Sequence, residues 1–465
     1  MAKCFRSENK QNRRFLGSAE NSLMHASQKY QGYMKIGEVL HVEGPYICLQ
    51  ALRKAVKKLQ ERHPTLRSRL QRNPQKANSY FLEEDETLEL KIIEIERKRC
   101  DHLTFWKKEW RQREKSTTAI GQGLAELWLL QDPQDKDDIS SPREIVFICE
   151  HSICDALSLS NAAHELLIGL SHENHQIFAK SLDWPITMET AIRTSLSRSN
   201  RTLSLVKLII RALSTRVTTS RSKIAKIPLG NVDIALGDMA NLCHTETCYA
   251  ILNKEQTQQL IDKCRQEKVT ITSTVCSAIL CAINALINAD GQAESSLMEL
   301  SMTADTRRRY VPPIGNHDLC NHVSSMIPFV VSTRDMLTRY TDLWQLARTF
   351  EGHTKKCIDD NQILALGIII GRMFSKSLNS PKAADFPTCG ISSWGILTFD
   401  EQYGQWKFEG MTPIINMVQG FMPFITIQTV NGILSIMFSG PHPVIPFNVL
   451  EQLRQSTIDK LLSLL

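Results

Sequence analysis

Residues 145–149 form an apolar run, Ile-Val-Phe-Ile-Cys, that leads into Glu150 and His151, and Asp155 stands four residues further on at the head of a helical pattern. An imidazole at the end of a buried strand is held rigidly and is partly desolvated. That setting suits a base that takes a proton from a hydroxyl near neutral pH. His-x-x-x-Asp alone is a weak pattern, because such pairs arise by chance. A core histidine satisfied by backbone is its plain alternative. Successive strand residues face opposite sides, so Glu150 is expected to aim away from the side that His151 serves. Metal chemistry has less behind it. The 13 cysteines include the pairs Cys149/Cys154, Cys243/Cys248 and Cys276/Cys281, and nowhere a C-x-x-C. Each pair lies among apolar residues, which predicts buried, reduced thiols in a reducing compartment and no metal site.

The elements that must position His151 and Asp155 alternate in type. Leu49, Leu52, Val56 and Leu59 make one stripe of an amphipathic helix, and Pro64 ends it by pushing His63 out of the helical region. Residues 88–95 alternate as a strand, 104–115 read as a helix carrying Trp106 and Trp110, and 124–130 and 144–149 read as short strands. A helix over 158–170 follows. In the second half, 254–267, 272–288 and 343–359 read as helices, and 298–302 and 323–331 as strands. A hairpin turns at Asn431-Gly432 between 426–430 and 432–438, and a helix over 448–465 closes the chain. Helices and strands mixed in both halves mean an α/β fold, with the ligand site expected where the halves meet. His63, His164, His442, Trp128, Trp344 and Asp305 read as structural residues.

The length of 465 residues suits two large domains or about three ordinary ones. With 42% hydrophobic and 22% charged residues, a chain disordered throughout is excluded. No run approaches the roughly 18 to 20 apolar residues of a membrane-spanning helix. Met1 to Arg14 is basic and polar with no apolar run behind it, so no secretory signal is read and a cytoplasmic location is expected.

The net charge is +6, yet residues 191–230 carry Arg193, Arg198, Arg201, Lys207, Arg211, Arg216, Arg221, Lys223 and Lys226 and no acidic residue. Rich in Ser and Thr as well, residues 186–230 read as an exposed basic connector between 1–185 and 231–465. Leu203, Val206, Ile210 and Leu213 recur in it at helical spacing, with Lys207 and Arg211 on another face. The ordinary reading packs that stripe on its own domain. The functional one lays the basic segment 193–226 on an anionic membrane, or against a phosphorylated ligand. No stacking aromatics interleave with the charge, so no nucleic-acid partner is expected.

The segment around His151 and Asp155 resembles the His-x-x-x-Asp acyltransferases of the chloramphenicol-acetyltransferase-like fold. That superfamily includes CoA-dependent alcohol acyltransferases, polyketide-associated acyltransferases and the condensation domains of peptide synthetases. Other segments are similar to it in the same order along the chain. Arg14 to Glu20 resembles the opening, and residues 52–70 with Arg62-His63-Pro64-Thr65-Leu66-Arg67 resemble the first helix and its turn. Lys268 to Thr272 resembles the start of the second half. Asp305-Thr306-Arg307 and Cys320-Asn321-His322-Val323-Ser324 resemble the Asp-x-Arg and Gly-Asn segments, and Ile391 to Gly395 sits where a loop ending in Gly is found.

The resemblance implies two similar subdomains in a V with a central tunnel. Residues 1–185 would carry the motif, and 231–465 would send a segment near 385–405 across to complete the first sheet. It implies an acyltransferase that moves an acyl group from an acyl-CoA thioester to an alcohol or amine, with His151 as general base. Asp155 would organise the site by pairing with Arg307. Ser392, Ser393 and the backbone at Trp394-Gly395 are the candidates to meet the oxyanion. No cofactor is implied; acyl-CoA is the donor substrate, with a carrier protein as the other source of thioester. No carrier domain is read within the chain, so the thioester is expected from outside. Glu150 replaces a first His, Ala156 and Cys320 replace Gly, and Ser393 replaces Asn. These departures keep two alternatives open. One is a catalytically degenerate relative that binds a ligand or partner protein; the other is a stand-alone condensation-type enzyme using a carrier-protein thioester.

Overall fold

A computed structural model describes residues 12–171, 178, 180–219, 223–231, 233–288, 296–315, 317–340, 342–378 and 386–465. The first half runs β1 (Arg13–Phe15), α1 (Ser18–Lys29), β2 (Ile36–Glu43), α2 (Leu49–Arg62), β3 (Ser68–Arg72), β4 (Tyr80–Glu84), β5 (Lys91–Glu96), α3 (Phe105–Arg113), β6 (Ala125–Gln131), β7 (Pro142–Cys149) and α4 (Ala156–Leu170). Helices α5 (Met188–Ser195) and α6 (Arg198–Thr219) connect to the second half. There α7 (Met239–Leu242), β8 (His244–Leu252), α8 (Lys254–Gln266), α9 (Ile271–Ile287), β9 (Leu297–Asp305), β10 (Val323–Ser325), β11 (Phe329–Ser332) and α10 (Thr333–Thr338) come first. They are followed by α11 (Leu343–Asp359), α12 (Gln362–Ser377), β12 (Cys389–Leu397), β13 (Gln402–Tyr403), β14 (Trp406–Ile415), β15 (Phe424–Val430), β16 (Ile433–His442) and α13 (Phe447–Leu462).

Two large mixed sheets carry the two halves. The first has the order β13-β14-β2-β7-β6-β5, which puts β7 at its centre. Residues 145–149 of β7 are buried, so its near-continuous apolar run is what a central strand needs. The second has the order β10-β9-β12-β15-β16-β8, with β11 also paired to β9. A small sheet of β1, β4 and β3 stands apart from both. Along α2, Leu52, Val56 and Leu59 are buried, and His63 caps the helix in an extended conformation ahead of Pro64. The β15–β16 hairpin turns through Asn431 and Gly432 at φ 47° and 83°, the left-handed pair that a two-residue turn requires.

Two expectations are corrected. The segment that completes the first sheet is β13–β14, whose Lys407–Ile415 pair antiparallel with Ile36–Glu43, and only residues 402–403 of it fall inside 385–405. Strand β12, which fills most of that range, stays in the second sheet between β9 and β15, parallel to both. An apolar strand pattern says that a segment is buried, and not which sheet buries it. Residues 323–331 are two strands and not one, because Pro328 lacks the N–H that a continuous ladder needs. Within the connector, α5 and α6 occupy most of 188–219, and α6 carries the helical spacing of Leu203, Val206, Ile210 and Leu213. Arg221 lies outside the described residues.

Helix α12 matches no sequence expectation. Gly367, Ile368 to Ile370 and Gly371 read against a helix by propensity. Packing explains Gly371: a Cβ there would lie 2.5 Å from the carbonyl of Ser18, so only glycine lets the start of α1 rest on α12.

A carboxyl in the core of the first half is pushed toward its neutral form. Glu38 on β2 is fully buried, accepts a hydrogen bond from Ser160 Oγ of α4 at 2.5 Å, and leaves its second oxygen without a partner. Burial pushes its carboxyl up from 4.5 to about 8. The folded state therefore holds a proton that the unfolded chain releases near pH 4.5, and stability falls as pH rises through that window. The slope contributed by one such group is about 1.4 kcal/mol per pH unit. Glu38→Gln should remove it. The melting temperature of the variant relative to the parent is expected to rise steadily from pH 5 to pH 8; a constant difference would mean that Glu38 is already ionised in the fold.

Candidate active site

Strand β7 delivers the chain to the site, and α4 takes it away. Asp155 is the N-cap of α4: its Oδ1 accepts from Ser158 N and its own N–H donates to Ser158 Oγ, both at 3.0 Å. This capping box turns the chain sharply after β7. Residues 151–154 are held in that turn. His151 is half-buried, and its Nδ1 lies 2.7 Å from the carbonyl oxygen of Cys154. A carbonyl can only accept, so Nδ1 carries the proton and Nε2 keeps its lone pair. Burial lowers the pKa of His151 below its ordinary value, which favours the neutral base.

The second half reaches into this turn at two points. Arg307, fully buried, places Nη1 2.8 Å from Asp155 Oδ2 and 2.8 Å from Asp305 Oδ1. Its Nη2 donates to the Cys320 carbonyl at 3.0 Å. The N–H of His322 also donates to Asp155 Oδ2 at 2.8 Å. Burial alone would raise the carboxyl of Asp155, but the guanidinium and the backbone donors outweigh it and hold it below the ordinary value. Asp155 is thus an ionised, saturated acceptor facing the second half.

The other point is Asn321, which sequence reasoning placed in a segment without giving its side chain a task. Its Nδ2 donates to the backbone carbonyl of His151 at 2.9 Å, and its Oδ1 accepts from Val323 N at 2.9 Å. Asn321 therefore ties the catalytic candidate to β10. No spacing in the sequence signals a bond across 170 residues. Asn321→Ala should lower kcat by about tenfold with KM unchanged, the scale of one net hydrogen bond. A variant that lost only melting temperature, with kcat intact, would reduce Asn321 to a fold residue.

The departures from the family pattern are accommodated by turning the side chains elsewhere. Glu150 is buried, accepts from Thr118 Oγ1 at 2.7 Å and lies 3.5 Å from Lys35 Nζ, while His151 faces Cys154 and Asn321. Cys320 serves the site through its carbonyl, which accepts from both Arg307 and Ser158 Oγ. Ser392 Oγ accepts from Thr303 Oγ1 at 3.1 Å, and Ser393 Oγ lies 2.9 Å from Thr272 Oγ1. Trp394 is buried among core residues of the first half, and Gly395 has φ 76° beside a bulge in β12. Among the described residues, no hydrogen bond links 392–395 to His151. His63 is a structural residue, with Nε2 2.6 Å from Glu165, which also pairs with Arg62. No group of His, Cys, Asp or Glu among the described residues could hold a metal ion.

Residues 244–400 match the family described as phthiocerol/phthiodiolone dimycocerosyl transferase C-terminus, a span that contains Arg307, Asn321 and 392–395 but not His151 or Asp155. No curated protein matches the chain. Among solved structures, trichothecene 15-O-acetyltransferase from Fusarium sporotrichioides superposes with a TM-score of 0.75 at 11% identity, covering 97% of this chain and 95% of that one. Polyketide synthase associated protein 5 from Mycobacterium tuberculosis gives a TM-score of 0.65 at 15% identity, covering 96% and 97%. The first condensation domain of the calcium-dependent antibiotic synthetase gives 0.69 at 14%, covering 98% and 96%. The chain thus shares the fold of these acyltransferases and condensation domains, and residues 244–400 of its second half match the dimycocerosyl transferase C-terminal family.

Proposed function

We propose that the protein is a cytosolic acyltransferase that moves an acyl group from acyl-CoA to the hydroxyl or amine of a small acceptor. The observation that carries this reading is the 2.7 Å approach of His151 Nδ1 to the Cys154 carbonyl: an acceptor there takes the Nδ1 proton, which makes Nε2 the basic nitrogen. In the reaction, Nε2 takes the acceptor proton as the acceptor oxygen or nitrogen bonds to the thioester carbonyl carbon. The tetrahedral intermediate then collapses with cleavage of the C–S bond, and the imidazolium returns its proton to the departing thiolate. The oxyanion of that intermediate needs a donor, worth about 2.7 to 4 kcal/mol in comparable sites. Ser392 is our candidate, because its oxygen accepts from Thr303 and leaves its own hydroxyl hydrogen to give.

Support for acyl transfer also comes from the relatives, among them a trichothecene 15-O-acetyltransferase and a dimycocerosyl transferase family. The condensation-domain neighbours favour a second donor, a thioester on a carrier protein. Incubating the pure protein with acyl-CoAs and with acyl-loaded carrier protein, each with alcohols and amines, and reading free thiol, separates the two. Thiol release from acyl-CoA that depends on acceptor is the expected result. Release only from the carrier would move the protein to the condensation class, and release from neither would leave a binding protein.

A further inference from the structure

Helix α6 turns an apolar face to solvent. Leu203, Val206, Ile209, Ile210 and Leu213 are 45–62% exposed, while Ser204 and Leu208 on the opposite side are buried. The buried side meets α12. The stripe therefore does not pack on its own domain, as the ordinary reading of the sequence has it. Isolated exposed hydrophobics are common, but five large ones at three- and four-residue spacing along about 15 Å of one helix are not. Cations stand at one end of the stripe. Arg193 and Arg198 are exposed near the start of α6, and no acidic residue occurs between 191 and 230. Lys207 pairs with Asp360 at 3.3 Å and Arg211 reaches Gln362 and His353, which fixes the helix on α11 and α12 with the stripe outward.

We infer that α6 is a surface that lies on an anionic lipid bilayer. A row of aliphatic side chains gains from entering the acyl boundary, and acid-free cationic flanks gain from anionic headgroups. A protein groove would cover the stripe but would not by itself use the exposed Arg193 and Arg198 beside it. No single described helix is long and apolar enough to cross a membrane, so the geometry is that of a helix lying in the interface plane. A protein held this way meets lipophilic substrates where they dissolve.

The test is sedimentation of the full chain with phosphatidylcholine vesicles, with and without about 30% phosphatidylserine, at low and high salt. Binding is read without turnover, so its outcome is independent of whether the acyl transfer is right. The parent should bind the anionic vesicles and be released by salt. The triple variant Leu203→Ser, Ile209→Ser, Ile210→Ser should bind about tenfold or more weakly, with an unchanged melting curve because all three side chains are exposed. Arg193→Gln with Arg198→Gln should weaken binding at low salt only. The inference is overturned if the parent binds neither vesicle, if it binds neutral and anionic vesicles alike, or if the triple variant binds as the parent does. It is equally overturned if the parent is a dimer that the triple variant splits and vesicles bind neither, since the occupant of the stripe would then be a second copy of the chain.

Discussion

His151→Ala should lower turnover by about 10² to 10⁴-fold, the range that general-base assistance supplies. Stability should change little. The half-buried ring's short hydrogen bond, to the Cys154 carbonyl at 2.7 Å, has a net worth of about 1 kcal/mol, and its other contact, with Asn321 Nδ2, is longer at 3.3 Å. The pH profile adds a sharper check. Burial lowers the pKa of His151 below 6.5, so the base is already neutral at pH 7. The kcat/KM of the parent should be flat above neutrality and should fall as pH drops through a pKa below 6.5. An inflection above 6.5 would mean that the imidazole is not desolvated as the turn between β7 and α4 makes it. Near-normal activity in the alanine variant would remove the general-base role outright.

What could be read from the sequence follows from how local each feature is. Strand β7, the turn with His151 and the start of α4 at Asp155 are written in a dozen consecutive residues, so both the strand and the helix were legible there. The Asn431-Gly432 turn is equally local. The partner of Asp155 was different in kind: no pattern within the chain joins Arg307 to it, and that pairing was reachable only through a resemblance. Asn321 shows the limit, since its bond to the His151 carbonyl depends on where β10 lies against the first half. The crossing strands β13 and β14 show it again, because their pattern is that of any buried strand. Helix α6 shows a third kind of limit. Its stripe was legible as a periodicity, but whether a stripe faces inward depends on what the neighbouring helix offers. Here α12 takes the side with Ser204 and Leu208.

The largest stability effects should come from the Asp155–Arg307 pair. Both side chains are buried, 2.8 Å apart, and joined from opposite halves of the molecule. Arg307→Ala leaves Asp155 and Asp305 as carboxylates around an empty space, with only backbone donors on Asp155. Asp155→Asn leaves Arg307 with Asp305 as its one carboxylate, while the amide oxygen can still accept from Ser158 N and cap α4. Breaking one partner of a buried pair costs about 3 to 5 kcal/mol, because the charge that remains has lost its compensation. Each single variant should therefore melt well below the parent. Each should also lose rate, since Arg307 holds the Cys320 carbonyl one residue before Asn321, and Asn321 holds His151. The double variant decides whether the two act as one unit. Removing both charges removes the unpaired one too, so its loss should fall short of the sum of the single losses by about 0.5 to 3 kcal/mol. A strictly additive loss would mean that Arg307 is held by Asp305 alone, and that Asp155 is no more than the N-cap of its helix.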